Sequence, residues 1–465
     1  MDHFRPHLFP RPSFEGYYTH LTLPSSASLI LIISSVFVPS VQKKHMVSIT
    51  YVPPSFPDAP CFKRELFVDD IQMTPYDPLE HGKRVEEEGK DGAAVAFKLT
   101  VSGVGYMTVW EDDSVEIDVS APSGEWEFAA SVPGGVGKNR AEWIRGERDS
   151  TPEGVLVNLP LPLHWHVHSL ASECTFELSI SEKVYAHLHA LDASPSTTTT
   201  TLKTTNGTAE PKGVAMIHLE KNWAHSFPSS HIWLRAHNPP SLNSHDPSSG
   251  SSLCLAGGRT LGVDAYLITY HAPSGTQHDV SFVPPWSMSL PVPFLSSQSL
   301  SPTHSAVLSY PTRTIHLRTS TLTHRISITA SAPPDTFIPY SAPFYDGHRP
   351  NFLAQSYYAH VEVRVERRAL VKLEGILGMV LWLLVGWMGG GWGERVLGFL
   401  GMSGLFVPTP SPNERGTGST FGIRLGPWEE ISRETFKGAS LEFGGDVYGD
   451  ERKGRADPQE GKKVR

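Results

Sequence analysis

From about residue 14 to residue 367 the chain is written in short alternating or continuous apolar runs, broken by Gly- and Asp-rich turns. The stretch "FKLTVSGVGYMTVWEDDSVEIDVSAP" from Phe97 shows the pattern, as do "RTIHLRTSTLTHRISITASAP" from Arg313 and "YAHVEVRVERR" from Tyr358. Alternation with period two gives a strand one apolar face, because successive Cβ atoms leave a pleated backbone on opposite sides. Few stretches here keep a 3.6-residue period over ten positions, and 39 prolines and 40 glycines work against long helices. The pattern predicts an antiparallel all-β protein, built as barrels or sandwiches. The run "ASLILIISSVFV", Ala27 to Val38, is too short for a bilayer, which takes about 20 residues, and its β-branched content fits a buried strand.

Two polar insertions interrupt the strands, the Thr-rich "SPSTTTTTLKTTNGTAEPKG" from Ser194 to Gly213 and "PPSLNSHDPSSGSS" from Pro239 to Ser252. Past Arg368 the character changes. "GILGMVLWLLVGWMGGGW", Gly375 to Trp392, carries no charge, and a second apolar run extends from Val396 to Val407. This is a candidate membrane segment by length, with a glycine-rich apolar extension packed on the barrel as the alternative. From Pro408 to Arg465 the polar, Gly-rich composition predicts a disordered tail. A length of 465 residues points to two or three domains. The expected division is a first barrel over residues 1–200, a second over 201–367, the hydrophobic segment over 368–407 and the tail over 408–465.

Composition narrows the function classes. A formal charge of −9 gives no electrostatic footprint for nucleic acid, which is set aside as a partner. Three cysteines, Cys61, Cys174 and Cys254, form no CxxC pair and no disulfide framework, which fits a reducing compartment. The N-terminus lacks the basic start and apolar core of a secretory signal. The expected location is therefore cytoplasmic or membrane-associated, through residues 375–407. There is no GxSxG, no Walker A loop and no dinucleotide fingerprint.

The densest chemistry lies in "HLEKNWAHSFPSSHIWLRAHN", His218 to Asn238. It resembles the signature of the tocopherol cyclase family, E-K-N-W-G, then S-F-P, then W-x-W-x-Q-x-N. Glu220, Lys221, Asn222, Trp223, Phe227, Pro228 and Trp233 stand in matching places, and Asn238 stands one position past that of the final Asn. Two more blocks follow the family's order. "SFEGYYTHLTLPSSASLILIISSV" resembles its F-E-G-W-Y opening at Phe14, Glu15, Gly16 and Tyr18, and "LPLHWHVHSL" its P-H-W segment at His164 and Trp165, with a weaker "LAGGR" at Leu255 to Arg259. Departures fall at Tyr17, Ala224, His231 and Arg235, where the family has Trp, Gly, Trp and Gln. The resemblance implies two lipocalin-like β-barrel domains and no cofactor. It also implies a hydrophobic small-molecule substrate, a prenylated quinol or related polyene, that is ring-closed by protonation of an alkene.

That chemistry needs a proton donor, a dry aromatic cavity for a tertiary cation, and a base for the phenolic proton. Glu220 is the expected acid, with His225 as a proton relay and Lys221 and Asn222 beside it. Trp165, Trp223, Trp233, Phe227, Tyr18, Glu15, His164, Arg235 and Asn238 are the expected substrate-binding residues. If "HLEKNW" is a strand, Glu220 and Asn222 share one face while Lys221 and Trp223 share the other, so acid and tryptophan cannot both line one cavity without a bulge. The structural alternative makes Glu220, Lys221, Glu15 and Arg235 ion pairs that lock a barrel end. A rival chemistry starts from His164, His166 and His168, which alternate on a strand and, with His187 and His189, carry metal-ligand spacing. With 22 histidines in the chain, chance alternation on a polar barrel face or pocket lining explains it more simply, and no metal is assigned. The second functional class is a two-barrel protein that binds a lipid or isoprenoid without turning it over.

Overall fold

A computed structural model of the chain describes residues 12–75, 95–134, 163–181, 212–225, 227–238, 250–260, 263–273, 279–291, 299–300, 303–368, 370–373 and 423–449. The described residues are all-β, apart from a 3-10 turn at Pro334–Thr336 and one helical turn at Asp446–Gly449. They divide into two compact units. The first comprises residues 1–229, 335–357 and 444–449, and the second residues 230–334, 358–443 and 450–465.

The first unit is built on β1 (Phe14–Thr22), β2 (Ser28–Val36), β3 (His45–Val52), β4 (Phe62–Val68), β5 (Ile71–Pro75), β6 (Val95–Val101), β7 (Gly105–Trp110), β8 (Val115–Ser120), β9 (Trp126–Val132), β10 (Leu163–Ile180) and β11 (Lys212–Ala224). They form one sheet in the order β4-β3-β2-β1-β11-β10-β9-β8-β7-β6-β5. The two edge strands, β4 and β5, are consecutive in the chain, and the sheet curls into a nearly closed barrel. Alternate residues of every strand fill it. Tyr17 and Leu21, Leu29, Leu31 and Ile33, Val47 and Ile49, Phe97 and Leu99, Phe128, Leu178, Ile217 and Leu219 belong to one contiguous apolar cluster. Side chains at period two from neighbouring strands meet on the concave face, so the alternation read in the sequence becomes a packed core.

Strand β11 lies beyond residue 200, where the first barrel was expected to end, yet it sits between β1 and β10. The physical reason is that Ala215, Ile217 and Leu219 supply part of the first barrel's core, so the sheet is incomplete without them.

The second unit contains β12 (Ser230–Asn238), β13 (Ser251–Thr260), β14 (Val263–His271), β15 (Val280–Phe282), β16 (Met288–Pro291), β17 (Ser299–Leu300), β18 (His304–Ser309), β19 (Thr314–Ser320) and β20 (His324–Ser331). β21 (Ile338–Phe344) belongs to the first unit, whereas β22 (Gly347–Arg367) and β25 (Glu429–Gly445) each contribute residues to both. A short pair, β23 (Leu370–Leu373) and β24 (Ile423–Leu425), forms its own two-stranded sheet. The second large sheet runs β17-β16-β14-β13-β12-β25-β22-β20-β19-β18, with β15 against β14 and β21 against β22.

The expectation of a disordered tail is corrected for residues 423–449. β25 is an interior strand of the second sheet, and Phe436, Leu441 and Phe443 are fully buried. Its first eight residues include mostly exposed or half-buried positions, so the charge that suggests disorder belongs to a solvated stretch of a strand. Residues 374–422, which include the candidate membrane segment, lie outside the described residues. Among the described residues no helix is long and apolar enough to cross a membrane.

Candidate functional site

Within the first unit the residues of the three motif blocks meet on β1, β10 and β11. The register is continuous between β1 and β11, with Gly16 opposite Asn222 and Tyr18 opposite Glu220. No bulge interrupts it, so period two divides the motif between the two faces of the sheet, as the alternation in "HLEKNW" requires. Glu220 and Trp223 point apart.

The face toward the barrel core holds Glu15, Tyr17, Lys221, Trp223 and His164. Lys221 Nζ lies 3.2 Å from Glu15 Oε1 with both side chains wholly buried. The ammonium is also 5.4 Å from the Tyr17 ring centroid and 5.2 Å from that of Trp223. His164 stacks on the opposite strand's Trp223 at 5.1 Å and 8°. Buried charge is tolerable only when paired, and here Lys221 and Glu15 neutralise each other inside the core. Lys221, expected beside the acid, is thus tied to Glu15 on the other face. The structural alternative describes Glu15 and Lys221, while Glu220 has a different partner, His218.

The opposite face carries Glu220. Glu220 Oε2 accepts the indole N–H of Trp165 at 2.9 Å and lies 3.0 Å from His218 Nε2. His218 Nδ1 faces the carbonyl oxygen of Leu170 at 3.3 Å. A carbonyl can only accept, so Nδ1 carries a hydrogen, which leaves Nε2 of a neutral ring as an acceptor. An acceptor cannot face a carboxylate oxygen without a proton between them. The Glu220–His218 pair therefore holds one proton more than a carboxylate plus a neutral imidazole. Whether that proton sits on Glu220 Oε2 or on His218 Nε2, Oε2 keeps a lone pair for the Trp165 N–H, so all three groups are satisfied at once.

Around this pair the face is aromatic and polar. Tyr18 lies edge-on to His218 at 6.3 Å and to His20 at 6.5 Å. The hairpin of β21 and the start of β22, in the same unit, adds a buried chain. Gln355 Nε2 donates to Tyr18 Oη, Tyr357 Oη donates to Gln355 Oε1, and Tyr340 and Tyr357 share a further bond, all at 2.9 Å. Burial, and then the neighbouring Tyr18 and Tyr340 hydroxyls, push the Tyr357 phenol well above its ordinary pKa, so it stays a neutral donor. Asn222, between Gly16 and Trp165 in the register, lies over the glycine, and a Cβ on Gly16 would stand 2.7 Å from Asn222 Oδ1. Phe227 stacks on Phe14 at 5.1 Å and meets Phe344 and Phe352 at 5.9 and 6.2 Å, forming an aromatic group beyond the strand end.

His225 lies just past β11, exposed, with Nδ1 3.3 Å from Ser13 Oγ, and these contacts do not join it to Glu220. Trp233, Arg235 and Asn238 belong to the second unit, on β12. Trp233 and Arg235 are buried on one face of that strand, opposite Ala256 and Cys254. His231, which departs from the family's Trp, is 2.9 Å from Glu442 of β25, and Asn238 Nδ2 donates to Thr435 O at 3.1 Å. Both ends of β12 are thereby tied to the unexpected strand. In "LAGGR", a Cβ on Gly258 would lie 1.9 Å from Ser230 O, so the glycine serves strand packing rather than chemistry.

His166 and His168 lie with ring centroids 6.5 Å apart, on a stretch of β10 broken by bulges between Val167 and Ser172. Among the described residues no group of three His, Cys, Asp or Glu is placed to hold a metal ion. His187 and His189 lie outside the described residues.

His218, absent from the expected site, stands two positions before Glu220 in the same motif, where period two alone puts it on the acid's face. Gln355 and Tyr357 carry no such signal, being 337 and 339 residues beyond Tyr18.

No protein-family model and no curated protein sequence matches the chain. Among solved structures it is similar to an AttH-like protein from Nitrosomonas europaea, at 11% identity over 79% of this chain and 91% of that chain, with a TM-score of 0.39. It is also similar to kievitone hydratase from Nectria haematococca, at 7% identity over 79% of this chain and 88% of that chain, with a TM-score of 0.37.

Proposed function

We propose that the protein is a tocopherol-cyclase-like enzyme that closes a ring on a prenylated quinol or related hydrophobic polyene, without a cofactor. The observation that supports this reading is the Glu220–His218 contact, with the proton that it requires, on an aromatic face of β1, β10 and β11. In the reaction that proton adds to one carbon of the substrate's trisubstituted alkene, and the neighbouring carbon becomes a tertiary cation. Ring faces such as those of Tyr18 and Phe227 attract the cation's charge. The phenolic oxygen then bonds to the cationic carbon and releases its own proton, so substrate and product have equal mass. Proton donation from a positioned side chain contributes about 10²–10⁴-fold to such a step.

The test is incubation of the purified protein with a panel of prenylated quinols and polyenes, followed by a search for ring-closed isomers of unchanged mass. Glu220→Gln and His218→Gln are expected to abolish isomer formation. Turnover that survives both changes refutes the assignment of the acid. A second reading, a lipid- or isoprenoid-binding protein, draws support from the engagement of Trp165 with Glu220 and of Trp223 with Lys221 and His164. Tight binding of the panel with no isomer formed decides for that reading.

A further inference from the structure

The proposed cyclisation needs a base as well as an acid, and the same face of the first unit carries a second histidine with the opposite proton inventory. His348, on β22 in the hairpin, has Nε2 2.8 Å from Ser34 Oγ on β2 and Nδ1 3.3 Å from the Lys43 carbonyl oxygen. The carbonyl fixes the hydrogen on Nδ1, as at His218. Here, however, Nε2 meets a hydroxyl, which can donate, so the ring is satisfied while neutral and no extra proton is needed. Burial holds the His348 pKa below its ordinary value, outweighing the Lys43 carbonyl and the Glu65 charge, while the charge of nearby His45 acts in the same direction as burial. Two imidazoles, each pinned through Nδ1 to a backbone carbonyl, thus differ in what faces Nε2. One is loaded with a proton and the other is ready to take one.

Their placement suits one substrate. Ser34 pairs with Gly16, and Gly16 with Asn222, so these three share a row across β2, β1 and β11, and Glu220 stands one period-two step along β11. On a pleated sheet this separates Ser34 from Glu220 by two strand spacings and two residues, roughly 12 Å between Cα atoms. Between them, over Gly16, lies Asn222, whose Oδ1 is buried without a hydrogen-bond partner among the described residues. A buried acceptor left unmatched is costly, and a phenolic O–H is the kind of donor that satisfies it.

We propose that Ser34 and His348 form the base arm of the cyclisation, with Asn222 holding the phenolic hydroxyl between that arm and the Glu220–His218 acid. This rests on the cyclase reading above. As the phenolic oxygen bonds to the tertiary carbon, its hydrogen passes to Ser34 Oγ and the Ser34 hydrogen passes to His348 Nε2. The alkene has meanwhile taken the proton of the His218–Glu220 pair. The enzyme ends with one proton gained at His348 and one lost at the acid. Exchange with water restores both, and His348 is only partly buried, which gives its proton an exit.

The experiment measures ring-closed isomer formation by the full-length protein and by Ser34→Ala, His348→Ala and Glu220→Gln, with and without added imidazole. His348→Ala is expected to lower kcat about 100-fold, the lower end of the range for a positioned base, while KM stays within about threefold. Imidazole is expected to restore about tenfold of that loss in His348→Ala and none in Glu220→Gln. Ser34→Ala removes one hydroxyl from a strand and is expected to lower kcat about tenfold with an unchanged unfolding midpoint. Unchanged kcat in both variants, or a loss that imidazole leaves unrestored and that falls on KM, overturns the base arm alone. Absence of any isomer from the unaltered protein overturns the cyclase reading and the base arm with it.

Discussion

Replacing Lys221 by Met tests how the first barrel's core is held. The Lys221 ammonium and the Glu15 carboxylate are 3.2 Å apart and wholly buried. At that distance their attraction is about 5 kcal/mol for an effective dielectric constant of about 20. Met keeps most of the apolar stem and offers its thioether to Tyr17 and Trp223, so packing loss is small. What remains is a buried Glu15 without its cation. It can escape by taking up a proton, which at pH 7 costs about 4 kcal/mol from an ordinary carboxylate, so the penalty is capped near that figure. Glu15→Gln leaves the ammonium stranded and is capped near about 5 kcal/mol by the same argument from an ordinary lysine. The double variant Glu15→Gln, Lys221→Met leaves no charge to neutralise. It is expected to recover at least about 2 kcal/mol relative to the sum of the singles, since replacing both partners of a buried pair is far cheaper than removing one. Urea unfolding followed by tryptophan fluorescence reads this from the midpoint, provided the slope is unchanged. A Lys221→Met cost below about 1 kcal/mol, or strictly additive singles, refutes the reading of this pair as a structural lock.

Other expectations follow from the same geometry. Gly16→Ala brings a Cβ to 2.7 Å from Asn222 Oδ1, the end of a side chain that can turn aside, so the cost should stay within about 1 kcal/mol, the lower end for overpacking, and a second change, Asn222→Ala, should recover most of it in urea titrations. His304, packed against Tyr266 in the second unit, has its pKa lowered to about 4 by burial, with the charge of Asp264 opposing. The unfolded chain then binds more protons below its ordinary value, so stability should fall as pH drops from about 6.5 toward 4, and His304→Asn should flatten that slope in thermal melts. Burial pushes the Cys174 thiol up to about 12, against the opposing Ala215 backbone hydrogen bond, so iodoacetamide at pH 8 should label it only after unfolding. Labelling of native Cys174 at the unfolded rate contradicts that burial.

Much of the strand content was legible because burial in a β-sheet is written at period two, a signal that needs only neighbouring residues. The split of "HLEKNW" between two faces followed from the same rule and holds in the β1–β11 register. So did the absence of long helices among the described residues, since proline and glycine act locally. The sequence could not reveal β25, because its first half is crowded with charges that face water and its buried residues cluster in the last seven positions, too short a run to stand out. Nor could it place β11 in the first barrel, because strand order is set by which apolar faces complete one core, not by distance along the chain.

The acid pair shows where the boundary falls. Glu220 and His218 share a strand, so their common face is fixed by backbone geometry and is readable from spacing alone. Which proton they hold is not, because it depends on Leu170 and Trp165, brought in by β10. The partner of Lys221 is Glu15, 206 positions earlier in the chain. Tyr18 meets Gln355, and Ser34 meets His348, across 337 and 314 positions. The sequence by itself determined the strands, their faces and the residue types available for proton transfer, since those depend on local stereochemistry. Only the tertiary structure decided what faces Nδ1 of His218 and both ring nitrogens of His348, because Leu170, Lys43 and Ser34 are supplied by distant parts of the chain.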